Sequence, residues 1–193
     1  MMKAEQYLNV GYQKILTFER PEGGFDWWGN SPAMVWLTAY GIQQLKALSR
    51  VYEIDTRVID RAYYFLIRNR ESDGSWGIIG NTHGETIAQV ASPRLALTAY
   101  IVWSLAEAGF MEPLGCQYLQ NHWLEAQGNP YLLALISHAL LANNIADTIG
   151  NRTLRELENL KEETGELVYW KNSGKTATCG YGTAANIETT ALA

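Results

Sequence analysis

The sequence lacks the features that would place it in one of the specialised protein classes. Five prolines in 193 residues and an apolar content of 47% exclude a disordered chain. No apolar run approaches the roughly 20 residues that cross a bilayer, and the early Lys3, Glu5 and Gln6 are unlike a signal peptide. Lysine and arginine number 15 against 20 acidic residues, so a net charge of −5 argues against a nucleic-acid partner. The two cysteines, Cys116 and Cys179, leave the redox compartment open because they could pair or stay free.

What the sequence does contain is a repeat. A glycine-containing turn at residues 23–30 precedes the tetrapeptide Leu37–Tyr40, and a second turn at residues 73–77 leads through a loop to Leu97–Tyr100. Both tetrapeptides read Leu-Thr-Ala-Tyr and start 60 positions apart. A fixed spacing indicates a repeated supersecondary unit, and equivalent turns of such units should lie at the same end of the molecule.

The residues around the two turns suggest how each unit is held together. Trp28 and Trp76 follow the glycines, and we expect the loss of either, if it is buried like a core aromatic, to cost about 3–5 kcal/mol. Ser92 and Pro93 predict a helix start, because serine can cap free N–H groups and proline is tolerated in the first turn.

Apolar periodicity predicts an alternation of two kinds of helix. Inner helices, apolar around much of their circumference, are predicted near residues 32–52, 92–109, 130–144 and 186 onward. Amphipathic outer helices are predicted near residues 3–18, 55–70, 112–127 and 147–164. Residues 166–170 are predicted to form a short strand or an extended turn.

This alternation predicts an all-α fold in which helical hairpins stack and close into an α/α toroid. A complete toroid of this kind needs about six hairpins, whereas four are visible. We therefore expect residues 1–193 to form one domain that is an incomplete toroid, a fragment of a larger protein.

Several segments also resemble, in order and at similar spacing, the thioester-containing domain of the α2-macroglobulin and complement family. The matching segments are Tyr7–Leu16, Gly23–Phe25, Trp36–Tyr40, Asp73–Trp76, Leu97–Tyr100, Tyr131–Leu135 and Ile187–Leu192. The resemblance spans nearly the whole chain, and although each piece is a weak signal, the ordered set is specific.

Membership would imply a non-enzymatic domain of a much larger extracellular, periplasmic or cell-surface protein. Its partners would be proteases or other proteins and the other domains of the parent chain, with no cofactor. The family's thioester joins a cysteine to a glutamine three positions later. Here Leu119 follows Cys116 at that distance and Gly182 follows Cys179, so neither cysteine can form the ring. A Cys-x-x-Gln motif would precede Met1 in the parent protein, or the parent lacks it.

His83 is the candidate site residue that the resemblance implies. In complement-like members, a histidine in the loop after the Asp-Gly turn attacks the thioester and forms an acyl-imidazole. His83 lies nine residues after Gly74, in the corresponding loop, and a neutral imidazole is a suitable nucleophile near pH 7. The alternative is an exposed loop histidine without a role.

The other polar candidates have simpler structural explanations. His122 and His138 lie on helices and are expected to be structural, and scattered single histidines and cysteines do not form a zinc site. The carboxylates of Asp26, Glu85 and Glu188 are explained by capping and solvation.

A cyclase is the alternative function. Residues 61–76 resemble the Gln-Trp repeat of triterpene cyclases, which share the toroid with prenyltransferases, although the expected glutamine and an Asp-x-Asp-Asp motif are missing. A cyclase would require a deep apolar cavity that is lined by aromatic side chains and contains a carboxylic acid.

Overall fold

The computed structural model describes residues 2–79 and 87–193, which are mostly helical. The helices are α1 (Met2–Leu16), α2 (Val35–Leu48), α3 (Arg57–Arg68), α4 (Pro93–Ala108), α5 (Pro113–His122), α6 (Pro130–Asn143), α7 (Thr148–Asn159) and α8 (Thr183–Leu192). Short 3₁₀ turns cover Ile87–Gln89 and Trp123–Ala126, and one hairpin pairs β1 (Lys161–Thr164) with β2 (Leu167–Trp170). The predicted all-α class is confirmed.

The inner helices form a row in which α4 contacts both α2 and α6, and α6 also contacts α8. Helix α6 is apolar around its circumference and is buried on all sides. Its residues Leu132–Ile136 are all at most 2% exposed. The outer helices α3, α5 and α7 each contact the inner helix that comes before them in the chain. Closure of this row into a toroid stays a prediction.

Each outer helix buries one stripe of side chains. In α3 the buried positions include Val58, Ala62, Phe65 and Leu66, spaced three or four residues apart, so they lie on one face of the helix. The arginines of α3, at positions 57, 61 and 68, are not among the buried residues. This is the pattern expected of an amphipathic helix that covers a core.

The outer helix predicted at 147–164 is too long. Helix α7 ends at Asn159, and residues 161–164 pair antiparallel with β2, from Lys161 opposite Trp170 to Thr164 opposite Leu167. A two-residue turn at 165–166 connects the strands, and such short turns favour hairpins. The helix was predicted to continue because a run of charged residues, Lys161 to Glu163, fits the surface of a helix as well as that of a strand.

One predicted helix start differs from the structure, and the start predicted at Ser92 and Pro93 is confirmed without its side-chain cap. Helix α2 begins at Val35 rather than at residue 32, because Met34 is held in an extended pairing with Phe25. The Ser92 side chain does not cap α4; the residue has a φ of 46°, and its carbonyl oxygen accepts from the Ala96 N–H instead.

Candidate functional site

The two predicted turns have the same hydrogen-bond pattern. In the first, the Arg20 N–H donates to the Gly24 carbonyl (2.7 Å), and in the second the Glu71 N–H donates to the Ser75 carbonyl (2.8 Å). Gly23 and its counterpart, Gly74, have φ values of 93° and 90°, a region that L side chains rarely adopt. The repeat in the sequence is therefore a repeat in backbone geometry.

The turn glycines also touch the outer helix that follows. A Cβ atom on Gly23 would lie 2.8 Å from the carbonyl oxygen of Arg61, and one on Gly74 would lie 2.2 Å from that of Leu114. Both distances are shorter than van der Waals contact. Each turn thus packs backbone against backbone, which only glycine permits.

The threonine of each Leu-Thr-Ala-Tyr segment holds the preceding turn. The backbone N–H of Phe25 donates to Thr38 Oγ1 (2.9 Å), and that of Trp76 donates to Thr98 Oγ1 (3.1 Å). Both threonines are fully buried. That the two turns lie at the same end of the helix row stays a prediction.

A third contact of the same kind was not predicted. The Trp170 N–H at the end of the hairpin donates to Thr190 Oγ1 (3.0 Å) on α8. The indole N–H groups of Trp76 and Trp170 likewise both donate to outer-helix carbonyl groups, those of Leu66 (2.8 Å) and Leu157 (2.7 Å). The Thr-Ala pair at residues 190–191 is the sequence signal that could have revealed this third unit. It is hard to recognise because the hairpin before it is longer than the two glycine-containing turns.

The loss of Trp28 was expected to be costly only if its side chain is buried like a core aromatic, and that condition does not hold. Trp76 is fully buried, whereas Trp28 is 72% exposed. The true counterpart of Trp76 is Phe25, which is 3% exposed and uses its N–H in the equivalent hydrogen bond. The extra tryptophans of the first turn lie after this anchor, where the chain bends outward around Asp26.

Asp26 stabilises that bend, as its expected capping role predicts. It is 1% exposed, and its carboxylate accepts from the N–H groups of Trp28 and Asn30, both at 2.8 Å. In the second turn, Asp73 accepts from the hydroxyl and the N–H of Ser75. These hydrogen bonds hold the pKa of Asp73 below its ordinary value of 3.8.

His83 and Glu85 lie outside the described residues, but the chain on both sides of their loop is fixed. Trp76 is held by α4 through Thr98. On the other side, Ile87 is 1% exposed and begins a short 3₁₀ turn. The described residues on the two sides of this segment are therefore held in place, Trp76 by the repeated turn and Ile87 by the core.

The other two histidines make contacts within the chain. The Nε2 atom of His138 lies 2.8 Å from the carbonyl oxygen of Leu192, so Nε2 carries the proton, and the ring stacks on Trp103. His122 stacks on Tyr118 and hydrogen-bonds the Glu125 carboxylate (2.9 Å). Both contacts suit the predicted structural roles. Across residues 2–79 and 87–193, no three His, Cys, Asp or Glu side chains are grouped to hold a metal ion.

The two cysteines are both free thiols. Cys179 is exposed, in a loop position with a φ of 68°. Burial, with a smaller contribution from the nearby carboxylates of Asp147 and Glu112, raises the pKa of Cys116 to about 12. Cys116 is therefore a protonated, unreactive thiol near neutral pH.

A cavity of about 600 Å³ lies against the row of inner helices. The segments before α2, α4 and α8 supply part of its wall through Trp27, Ile87, Ala177 and Thr178. The rest comes from the inner helices and is mainly aromatic: Trp36, Tyr40, Tyr100, Trp103, Tyr131, Leu135, Glu188, Ala191 and Leu192. Tyr40 and Tyr100 end the two Leu-Thr-Ala-Tyr segments, so the repeat also builds this cavity.

Glu188 places a half-buried carboxylate in the wall of this cavity and does not cap a helix. It accepts hydrogen bonds from the hydroxyl groups of Thr178 (2.6 Å) and Tyr131 (3.4 Å). The cap position of α8 is Gly182 instead.

Comparison with known proteins identifies the family. The A-macroglobulin TED domain matches residues 1–193. The chain belongs to this family. The cyclase alternative keeps only the partial resemblance of residues 61–76 and the aromatic cavity, and proteins of the α2-macroglobulin and complement family are not classical enzymes.

Three relatives show how this TED domain compares with whole proteins. It is 26% identical to thioester-containing protein 1 allele S1 of Anopheles gambiae, over 99% of this chain and 14% of the relative. It is 27% identical to ovostatin of Gallus gallus, over 89% of this chain and 12% of the relative. Complement C3 of Oncorhynchus mykiss is 26% identical over 89% of this chain and 11% of that protein. The chain thus spans no more than 14% of these relatives.

Proposed function

We propose that this chain is the thioester domain of a longer α2-macroglobulin-like protein that captures proteases or surfaces covalently or sterically. The observation that carries the proposal is the family match over residues 1–193. Relatives that are many times longer suggest that the chain works with other domains. We place the whole protein outside the cell, in the periplasm or at the cell surface. Within the described residues, no helix is long and apolar enough to cross a membrane.

The acyl donor would come from a part of the longer protein beyond these residues. Neither Cys116 nor Cys179 has a glutamine three positions later. A Cys-x-x-Gln thioester elsewhere would supply a strained acyl group, and the TED domain would hold that group beside its own loop.

We assign the transfer step to His83. The lone pair of the neutral imidazole attacks the thioester carbonyl, the C–S bond breaks, and the cysteine leaves as a thiolate. A hydroxyl oxygen of the target then attacks the acyl-imidazole and the C–N bond breaks. The hydroxyl proton passes to the thiolate, which leaves an ester, a thiol and the free histidine.

Support for His83 comes from how its loop is anchored. Trp76 before the loop and Ile87 after it are both fixed in the core, and the turn before the loop is held by Thr98. The preceding turn is the family's Asp-Gly turn, at Asp73–Gly74. A nucleophile in this loop would be attached to a rigid frame, as a transfer residue requires.

Labelling of the longer protein tests the proposal. Native protein, a His83→Ala variant and a His122→Ala control would each be incubated with glycerol or methylamine and measured by intact-mass spectrometry. We expect the native protein and the control to label with both. The His83→Ala variant should keep methylamine labelling and lose most glycerol labelling, since direct attack on a thioester favours amines.

Two results would contradict parts of the proposal. Equal glycerol labelling with and without His83 would remove this residue from the transfer step. Labelling of the 193-residue chain alone would overturn the assignment of the acyl donor to another part of the protein.

A further inference from the structure

The second repeat unit joins its turn to its inner helix by a longer segment than the first unit does. Residues 26–34 lie between the anchor Phe25 and helix α2, whereas residues 77–92 lie between the anchor Trp76 and helix α4. The shorter segment is closed by backbone pairing, since the Met34 N–H donates to the Phe25 carbonyl (2.9 Å). A longer segment loses more conformational entropy when its ends are fixed, so further contacts are needed to hold it in one arrangement.

Arg94 supplies such a contact at the base of the longer segment. It occupies the position of the repeat that Met34 occupies in the first unit, and its Nη1 donates to the Ser75 hydroxyl oxygen (2.9 Å) across 19 positions. Ser75 is fully buried, and its own hydroxyl donates to the Asp73 carboxylate (2.7 Å). The hydrogen bonds of Ser75 and, to a smaller extent, the charge of Arg94 lower the pKa of Asp73. The start of the segment is thus joined to the first turn of α4.

Lys175 reaches the other side of the segment from a different part of the chain. Its ammonium group donates to the Oε1 atom of Gln89, 86 positions away in the sequence. Gln89 ends the 3₁₀ turn that begins at the buried Ile87. The loop of Lys175 is itself fixed, because the Ala177 N–H donates to the Tyr131 hydroxyl oxygen (3.1 Å). A loop that is attached to helix α6 therefore holds the return side of the segment.

We propose that Arg94 and Lys175 are positioning residues for the acyl transfer, an inference that rests on the assignment of this step to His83 under the proposed function. His83 lies in the segment whose described flanks these two side chains hold. Attack on a thioester carbonyl requires the imidazole at a defined distance and angle. Loss of order in the flanks lowers the fraction of molecules in which the imidazole can attack. Each side chain thus acts through the segment and not on the reacting atoms.

Two acceptors separate this role from a general loss of stability. Methylamine attacks the thioester directly, whereas glycerol labelling depends on His83, so the ratio of the two labelling rates reports the placement of the imidazole. In the longer protein, Arg94→Leu and Lys175→Met should each lower the rate of glycerol labelling about three- to tenfold, as expected for the loss of one hydrogen bond. Methylamine labelling should stay unchanged. Lys175→Arg keeps a cationic donor and should restore most of the rate.

Two matched variants serve as controls. Arg68 donates to the Glu22 carbonyl (2.7 Å) beside the first turn, so Arg68→Leu removes a comparable contact from the unit that does not carry His83. Lys171 is an exposed lysine of the same loop as Lys175, and Lys171→Met removes the same charge. Both controls should keep the native ratio of labelling rates. Thermal unfolding checks that every variant is folded.

Amide hydrogen exchange in the longer protein gives a second readout, which does not involve the thioester. The Val90 N–H donates to the Ile87 carbonyl at the 3₁₀ turn (3.3 Å), so its protection reports the order of the return side. Lys175→Met should speed exchange at Val90 several-fold, whereas Lys171→Met should leave it unchanged.

Failure of this inference and failure of the proposed function give different results. If His83→Ala loses glycerol labelling while Arg94→Leu and Lys175→Met both keep the native ratio, the positioning roles are overturned and the transfer step stands. Equal glycerol labelling with and without His83 removes the transfer step and the positioning roles with it. Unchanged exchange at Val90 in Lys175→Met would show that this lysine does not hold the segment.

Discussion

Replacing Trp76 is the sharpest test of how the repeated turns hold the fold. The side chain is fully buried, and its indole N–H donates to the Leu66 carbonyl at 2.8 Å. We expect Trp76→Ala to lower the free energy of unfolding by about 3–5 kcal/mol, the usual cost of truncating a buried aromatic. Trp28→Ala should change it by no more than about 0.5 kcal/mol, because that side chain is 72% exposed.

Trp76→Phe separates the hydrogen bond from the packing. Phenylalanine keeps most of the buried apolar surface and loses the indole donor. The Leu66 carbonyl still accepts from the Asn69 N–H (3.1 Å), so it is not left without a partner. We therefore expect a cost of about 1 kcal/mol for this variant, well below that of Trp76→Ala.

Equilibrium urea unfolding, followed by far-UV circular dichroism, measures all three variants. The slope of each transition should match that of the native chain, so that differences in midpoint report stability alone. Equal losses for Trp76→Ala and Trp28→Ala would refute the distinction between anchor and surface tryptophan. A loss for Trp76→Phe as large as that for Trp76→Ala would show that the hydrogen bond, and not packing, holds the turn.

Three further predictions follow from single contacts. Thr98→Val leaves the buried Trp76 N–H without its acceptor and should cost about 1–3 kcal/mol in urea unfolding, whereas Thr98→Ser should recover most of this loss. In the native state, iodoacetamide at pH 8 should alkylate the exposed Cys179 and spare Cys116, whose pKa burial raises to about 12; equal modification on peptide mapping would contradict this. The lowered folded-state pKa of Asp73 adds stability above its ordinary value of 3.8 that is lost as pH falls through the folded value. Asp73→Asn should therefore lose less stability than the native chain as the pH falls below about 4, and parallel curves of stability against pH would count against the contact.

The sequence was a sufficient guide wherever structure depends on local pattern. Apolar periodicity identified the inner helices α4 and α6 to within about two residues of their ends, because burial on all sides requires apolar residues all round. The two turns were found for a similar reason, since glycine at Gly23 and Gly74 meets a backbone constraint that no other residue satisfies.

Local pattern failed where two structures fit the same residues. Charged residues with intervening apolar ones continued the predicted helix α7 through residue 164, although residues 161–164 form a strand. The choice of strand depends on pairing with β2 and on Trp170, whose indole N–H is held by the Leu157 carbonyl. Strand pairing depends on contacts between the two strands. A search for helical periodicity, which looks only for apolar residues recurring every three or four positions, does not test such contacts.

By itself, the sequence determined the helical class, the order of inner and outer helices, the repeated turns and the family, since each depends on residue type at fixed spacing. Only the tertiary structure decided which side chains meet. Trp76 reaches Thr98 across 22 positions, and Tyr131 reaches Glu188 across 57. Contacts at such separations depend on how the helices pack in space. For this reason the anchoring role of Thr98 and the place of Glu188 in the cavity wall became visible only in the folded chain.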